Sequence, residues 1–377
     1  MNEFIAAFIA GECFLLGFLL FLFPLERNSR ANRWLSFFVL ILGAAFVVNY
    51  LESAGLDDAV RPVVKLVSSL QFLLAPCLYI AILYFVSPTS RFRVRYWLHF
   101  LPFAVFAVCE LLIFGTEKSI GTKPLFRIGD FEFWVRDLLP FLVAGYLGLA
   151  FRTLRRHGEN LKIIASATQR TDLRWLRRFL LFLILPLGFW IYDALSLYPV
   201  PLLIRLTGPV YAGSLFFLAY NAFRQGVIFP YEPAALAEIS EILRPAETPG
   251  DGAPVRPRLT DEELAGLSIK LDELMNVEKL YLENELSLPA VAERLGIGVH
   301  DASFLINRVA GDNFYNFVNR RRVAEARRLL DSPAANRFNM LGIAFEAGFN
   351  SKTAFNTAFK KWTGVTPSEY VRRKKNE

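Results

Sequence analysis

Three cysteines, three histidines and three methionines are all that 377 residues hold of sulfur and imidazole ligands. Cys13, Cys77 and Cys109 fall inside apolar runs, do not pair by spacing and have no histidine in a metal-ligand pattern, so no disulfide framework or metal site follows. His99, His157 and His300 are scattered. The chain lacks GxSxG, HExxH and a P-loop, and GIGVHD at 296–301 is only a partial glycine pattern. No cofactor is expected, and nothing argues for an enzyme. A basic leader is missing too: Met1-Asn2-Glu3 precedes an apolar run of about 22 residues, longer than the ~7–15 of a signal-peptide core. It reads as a retained membrane span.

What the chain has in excess is apolar side chain. Thirty-six Phe and 54% hydrophobic residues are too many for an ordinary soluble protein, and nearly all of the excess lies before residue 224. Crossing ~30 Å of hydrocarbon takes roughly 20 apolar residues. Seven such runs fall near 4–25, 34–52, 63–86, 96–114, 134–151, 179–198 and 203–223. The odd loops between them are basic: Arg27, Arg30 and Arg33; then Arg91, Arg93 and Arg95; then a series from Arg152 to Arg178. Loop two is acidic and loop four balanced. The positive-inside rule therefore puts the odd loops in the cytoplasm, the N-terminus outside and the C-terminal third inside. A bacterial inner membrane is the expected location.

Ionisable side chains inside a bilayer are costly and usually face the bundle interior. Glu110, Arg136, Asp137, Asp193 and Arg205, with Asn49 at similar depth, lie in the outer half of their runs, and Glu12 is nearer the middle. Two readings stay open for them. One is a polar pocket opening outward for a small molecule or peptide; the other is snorkelling of the arginines to headgroups with the acids at loop ends.

Beyond Phe223, Pro and Gly recur from Pro230 to Pro257, and PAETPGDGAPVRPR reads as a linker of roughly 20 Å root-mean-square span. A linker of that kind transmits proximity better than rotation, so association of two chains into a homodimer or cluster is the simpler signal. The division expected is a membrane sensor at 1–223, a juxtamembrane segment and linker at 224–259, and a soluble helical domain at 260–377. Leu264, Leu267, Leu271 and Leu274 form a helical stripe that either pairs with a second chain or packs within its own.

Two stretches of the last third repeat each other. LPAVAERLGI at 288–297 aligns with MLGIAFEAGF at 340–349, setting Val291 on Ile343, Ala292 on Ala344 and Gly296 on Gly348. A helix-turn-helix needs these types: a small residue for close packing, then a glycine that ends the helix in a left-handed conformation. FYNFVNRRRVAEARRLL joins the two units, and Thr366, Pro367 and Glu369 spell a capping box.

On these residues, 276–373 resembles the AraC family of bacterial transcription regulators, and IAFEAGFNSKTAFNTAFKKWTGVTPSEYVRR is close to its signature. LDELMNVEKLYLENELSLPAVAERLG further resembles the subset with several membrane spans before the module. The resemblance implies two helix-turn-helix units, at about 287–309 and 339–362, on one face of double-stranded DNA. It puts Lys352, Thr353 and Asn356 at base edges and Lys360, Lys361 and Arg373 near phosphate. His300, Asp301, Ser303 and Asn307 are the readers of the first unit, where Phe304 replaces a usually basic residue and Ala302 a usually large one. Charge agrees: residues 260–307 are acidic on balance, while Arg320, Arg321 and the arginines after them make the remainder basic. The fold expected is all-α, a seven-helix transmembrane bundle followed by a double helix-turn-helix. The expected function is a membrane-embedded transcription regulator that senses an external or membrane signal. The rival reading is a transporter or membrane enzyme whose C-terminal module binds protein.

Overall fold

The structure, a computed structural model, describes residues 3–22, 28–56, 61–89, 94–112, 138–169, 171–195, 201–243, 259–333 and 338–376. The fold is all-helical, with apolar helices first and a helix-turn-helix domain last. Among the described residues the only β pairing is a single antiparallel bridge between Ala165 and Ser287.

Contacts divide the chain into two units, Met1–Arg155 with Leu173–Ile228, and Arg156–Asp172 with Phe229–Glu377. The first contains α1 (Glu3–Leu22), α2 (Ser29–Ser53), α3 (Arg61–Leu70), α4 (Leu74–Val86), α5 (Leu101–Leu112), most of α6 (Leu139–Ile164), α7 (Arg174–Leu195) and α8 (Pro201–Arg224). Among the described residues four stretches in it are long and apolar enough to cross a membrane: Glu3–Leu22, Ser29–Ser53, Leu66–Val86 and Arg174–Tyr192. The runs expected near 96–114 and 134–151 extend into residues 113–137, which lie outside the described residues, and the run near 203–223 lies in α8.

Small residues let α1 and α2 pack closely. A Cβ on Gly17 would come within 2.6 Å of the Leu40 side chain, and one on Gly43 within 2.7 Å of Cys13 Cβ. Ser36 adds a buried hydrogen bond, its Oγ donating to the Gly17 carbonyl at 2.6 Å. Between α3 and α4 a 3-10 turn at Gln71–Leu73 breaks the α ladder, and Pro76, which has no N–H to return to Phe72, sits just beyond it. Phe38 meets Phe179 and Phe46 meets Tyr211 edge to face, tying α2 to α7 and α8.

The second unit contains α9 (Pro233–Ile242), α10 (Asp261–Asn276), α11 (Leu288–Leu295), α12 (Val299–Ala310), α13 (Phe314–Leu330), α14 (Met340–Glu346), α15 (Lys352–Thr363) and α16 (Pro367–Asn376), together with the stretch 156–172. The linker expected at 245–258 lies outside the described residues. A capping box starts α10, with Thr260 and Glu263 bonded reciprocally. Leu271, Leu274 and Met275 are buried, and α10 packs on α11 and α12. The lower half of the leucine stripe thus serves its own chain.

Candidate nucleic-acid interface

The two helix-turn-helix units are α11–α12 and α14–α15, held by α13. Val291 and Ala292 in the first and Ile343 and Ala344 in the second are buried at matching positions. Gly296 and Gly348 follow at φ 73° and 86°, the left-handed region the turn demands. At Gly348 space is also limiting: an added Cβ would lie 2.6 Å from the Tyr281 carbonyl oxygen. Around the second unit Val323, Ala326, Leu330, Phe349, Phe355 and Phe359 form one core. Burial of the valine, leucine and phenylalanine side chains stabilises by about 1.5–3 kcal/mol each.

Arg322 on α13 ties the turn ahead of α11 to the stretch around Ser166 and packs beside Phe349 of the second unit. It is 1% exposed. Its Nε donates to the Tyr281 carbonyl at 2.7 Å, and Nη2 to the Glu283 carbonyl at 2.6 Å and to Ser166 Oγ at 3.0 Å. Nη1 reaches Asn319 Oδ1 at 3.3 Å, and the guanidinium lies 5.8 Å from the centre of the Phe349 ring. Burial lowers its pKa to about 10, so it remains a cation held by neutral acceptors. Ser166 belongs to the stretch 156–172. Its backbone N–H and Oγ both donate to the Leu286 carbonyl, and its own carbonyl accepts from Asn319 Nδ2. Sequence reading counted Arg322 among the surface charges and missed Ser166; no local pattern marks either role.

Caps position the reading helices. Side chains of Ser287, Asn313, Asn339 and Ser351 accept the first free N–H groups of α11, α13, α14 and α15, and Thr366 caps α16 in the box with Glu369. The first reading helix differs. Its N-cap is Gly298, which has no side chain to offer, and the N–H of His300 is instead bonded by Glu238 Oε2 of α9 at 3.0 Å. The Glu238 carboxylate also lies 2.9 Å from where a Cβ on Gly298 would stand. Helix α9 packs on α12 with Ile239 fully buried. A carboxylate from 62 residues away therefore occupies the anion-favouring end of the helix expected to enter a groove.

The two reading surfaces accordingly differ. On α15, Lys352 and Thr353 are exposed at the N-terminal end and Asn356 is half-buried one turn on. Lys360 and Lys361 are exposed at the other end, Lys361 donating to Asn316 Oδ1 at 2.8 Å, and Arg373 is exposed on α16. On α12, His300, Asp301 and Ser303 are half-buried, and Asn307 is exposed. Arg320 is exposed but paired with Asp312 at 3.6 Å, while Arg321 lies over the Phe317 ring at 4.1 Å. Phe304 is half-buried and Ala302 fully buried, so the alanine serves the core.

Of the residues expected to line an outward pocket, Asn49 is exposed and its amide donates to the Ala45 carbonyl one turn back. Arg136 and Asp137 lie outside the described residues, as do the side chains of Glu110, Asp193 and Arg205. The first unit does hold an apolar cavity of about 60 Å³ lined by Leu42, Leu78, Tyr79, Tyr146 and Trp190 among others.

Residues 291–373 match a family model described as a helix-turn-helix domain. A stretch of 89 residues, 24% of this chain, is 28% identical to the HTH-type transcriptional activator AarP of Providencia stuartii. That match spans 64% of the relative's own length. No solved structure matches the chain.

Proposed function

We propose, for a chain that ends in a helix-turn-helix domain of the AraC type behind a set of apolar helices, that it is a membrane-embedded transcription regulator. The N-terminus lies outside and the DNA-reading domain lies in the cytoplasm of a bacterial cell. One observation carries the DNA-binding part of this: Lys352 and Thr353 stand exposed at the capped N-terminal end of α15, with Lys360, Lys361 and Arg373 on the flanks for phosphate. A rigid helix presenting polar groups at its tip and cations beside it is what entry into a major groove requires.

Control acts through the first unit. With α9 over α12, only α15 is free to read, and a signal that draws α9 away completes the two-unit reader. The bonds of Ser166 make 156–172 a structural part of the domain, so the domain receives the end of α6 and the turn before α7 as well as the chain after α8. A small molecule or peptide at the polar residues Glu110, Arg136, Asp137, Asp193, Arg205 and Asn49, or association of two chains, supplies the signal.

The test is footprinting of the full chain in nanodiscs on DNA upstream of its own gene and of neighbouring genes, across a salt series. The expected result is protection of one half-site, extending to two on activation. Each phosphate contact should contribute a slope of about −0.9 in log K against log salt. DNA binding absent at low salt, or indifferent to salt, would overturn the reading in favour of a module that binds protein.

A further inference from the structure

Five arginines converge on one recess of the first unit. Arg152 and Arg155 come from α6, Arg174, Arg177 and Arg178 from α7, and Phe151 and Leu181 complete a wall around about 580 Å³. Among the described residues no carboxylate lines it. Among the described residues, Arg152, Arg155, Arg177 and Arg178 make no ion pair. Guanidinium groups set together without acids repel one another, and an anion between them removes the repulsion. The planar donor fork of arginine matches phosphate in particular.

The position narrows the class of anion. Helix α6 is apolar from Leu139 to Phe151 and turns basic at Arg152; α7 begins basic and turns apolar after Arg178. Both helices change character at the recess. Beyond it Leu181, Phe182, Ile184 and Leu185 of α7 are exposed along one of the stretches able to cross a membrane. A ligand with a phosphate head and an apolar tail would meet guanidinium at one end and exposed leucine and phenylalanine at the other. Inorganic phosphate would use only the first.

We propose that this recess binds the phosphate headgroup of an anionic phospholipid from the leaflet that contains it. The assignment rests on the membrane placement proposed above. Basic pockets between spans at the cytoplasmic face are suited to such headgroups, each cation contributing a factor of about five in affinity. The recess flanks the 156–172 stretch in the chain, so lipid composition would act on α6 and α7 where that stretch joins them.

The experiment uses the full chain in neutral detergent, titrated with short-chain phosphatidylglycerol and, separately, with phosphatidylcholine, bound lipid being counted by native mass spectrometry. Inorganic phosphate serves as competitor. The expected result is preference for phosphatidylglycerol, weakened about 25-fold by Arg155→Gln with Arg178→Gln. The Lys pair at these positions should retain most of the binding, which separates lost charge from lost fold. Arg30→Gln with Arg33→Gln, exposed cations at the start of α2, should leave it unchanged. An equal fall with the α2 pair would overturn the site in favour of diffuse surface charge. Displacement by inorganic phosphate at matching affinity would overturn the lipid source, and a chain that stays soluble without detergent would instead remove the membrane placement beneath it.

Discussion

Replacing Glu238 by alanine should turn the first reading helix from covered to available. In the closed arrangement the carboxylate accepts from the His300 N–H at 3.0 Å, at a helix end whose own N-cap is glycine. A hydrogen bond to a charged group contributes ~1.5–3 kcal/mol, and a lost N-cap costs ~0.5–2. Glu238 is only half-buried, so solvent takes part of that and roughly 1–2 kcal/mol remains. At 1.4 kcal/mol per tenfold, the closed state of Glu238→Ala weakens by roughly five- to thirty-fold relative to the open one. On DNA the free N–H of α12 can meet a phosphate oxygen in place of the carboxylate, so the open state loses little. Footprinting of the full-length variant in nanodiscs should then protect the second half-site without any activating signal. Glu238→Gln keeps an acceptor but not the charge and should fall between. If Glu238→Ala binds DNA no more tightly than the parent and protects the same single half-site, α9 is a structural brace and the reasoning fails.

Arg322→Met should lower the thermal midpoint of the C-terminal domain by the equivalent of ~3 kcal/mol or more, because Tyr281, Glu283 and Ser166 all lose a buried donor; calorimetry on the full chain measures it. Lys352→Ala with Thr353→Ala should leave that midpoint within ~0.5 kcal/mol, both side chains being exposed, and weaken specific DNA binding by about tenfold or more in a competition assay. Hydrogen bonding from Arg328, aided by Lys279, holds the Glu325 carboxyl below its ordinary value of 4.5, and Lys374 does the same for Asp331. Both pKa values are depressed on folding, so their contribution is fully present above the ordinary carboxylate value and disappears as pH falls through the lowered ones. Circular dichroism melts should show the domain losing stability below about pH 4.5, and Glu325→Gln should flatten that dependence. Glu12, with no hydrogen-bond partner for its carboxylate among the described residues, should be replaceable by Gln without loss of melting temperature.

Much of the DNA-reading domain is legible in the sequence because its signals are local. The doubled small-residue and glycine pattern and the Thr366–Glu369 box each depend on residues within a few positions of one another. The box at Thr260 and Glu263 is equally local, T-x-x-E ahead of an apolar stripe. The leucine stripe of α10 announced a buried face but not its partner. Periodicity records that a side is apolar, not what covers it.

What the sequence by itself determined, then, is the composition of the two halves, the helices of the second, and the turn and cap residues that make a double helix-turn-helix. Tertiary structure alone decided that Glu238 caps α12 across 62 residues, that Ser166 completes the shell of Arg322 across 156, and that arginines from two helices meet in one recess. Helix periods and caps follow from backbone geometry over one or two turns and are written in adjacent residues. Contacts at such separations exist only once the chain has closed on itself, and no short-range pattern encodes them.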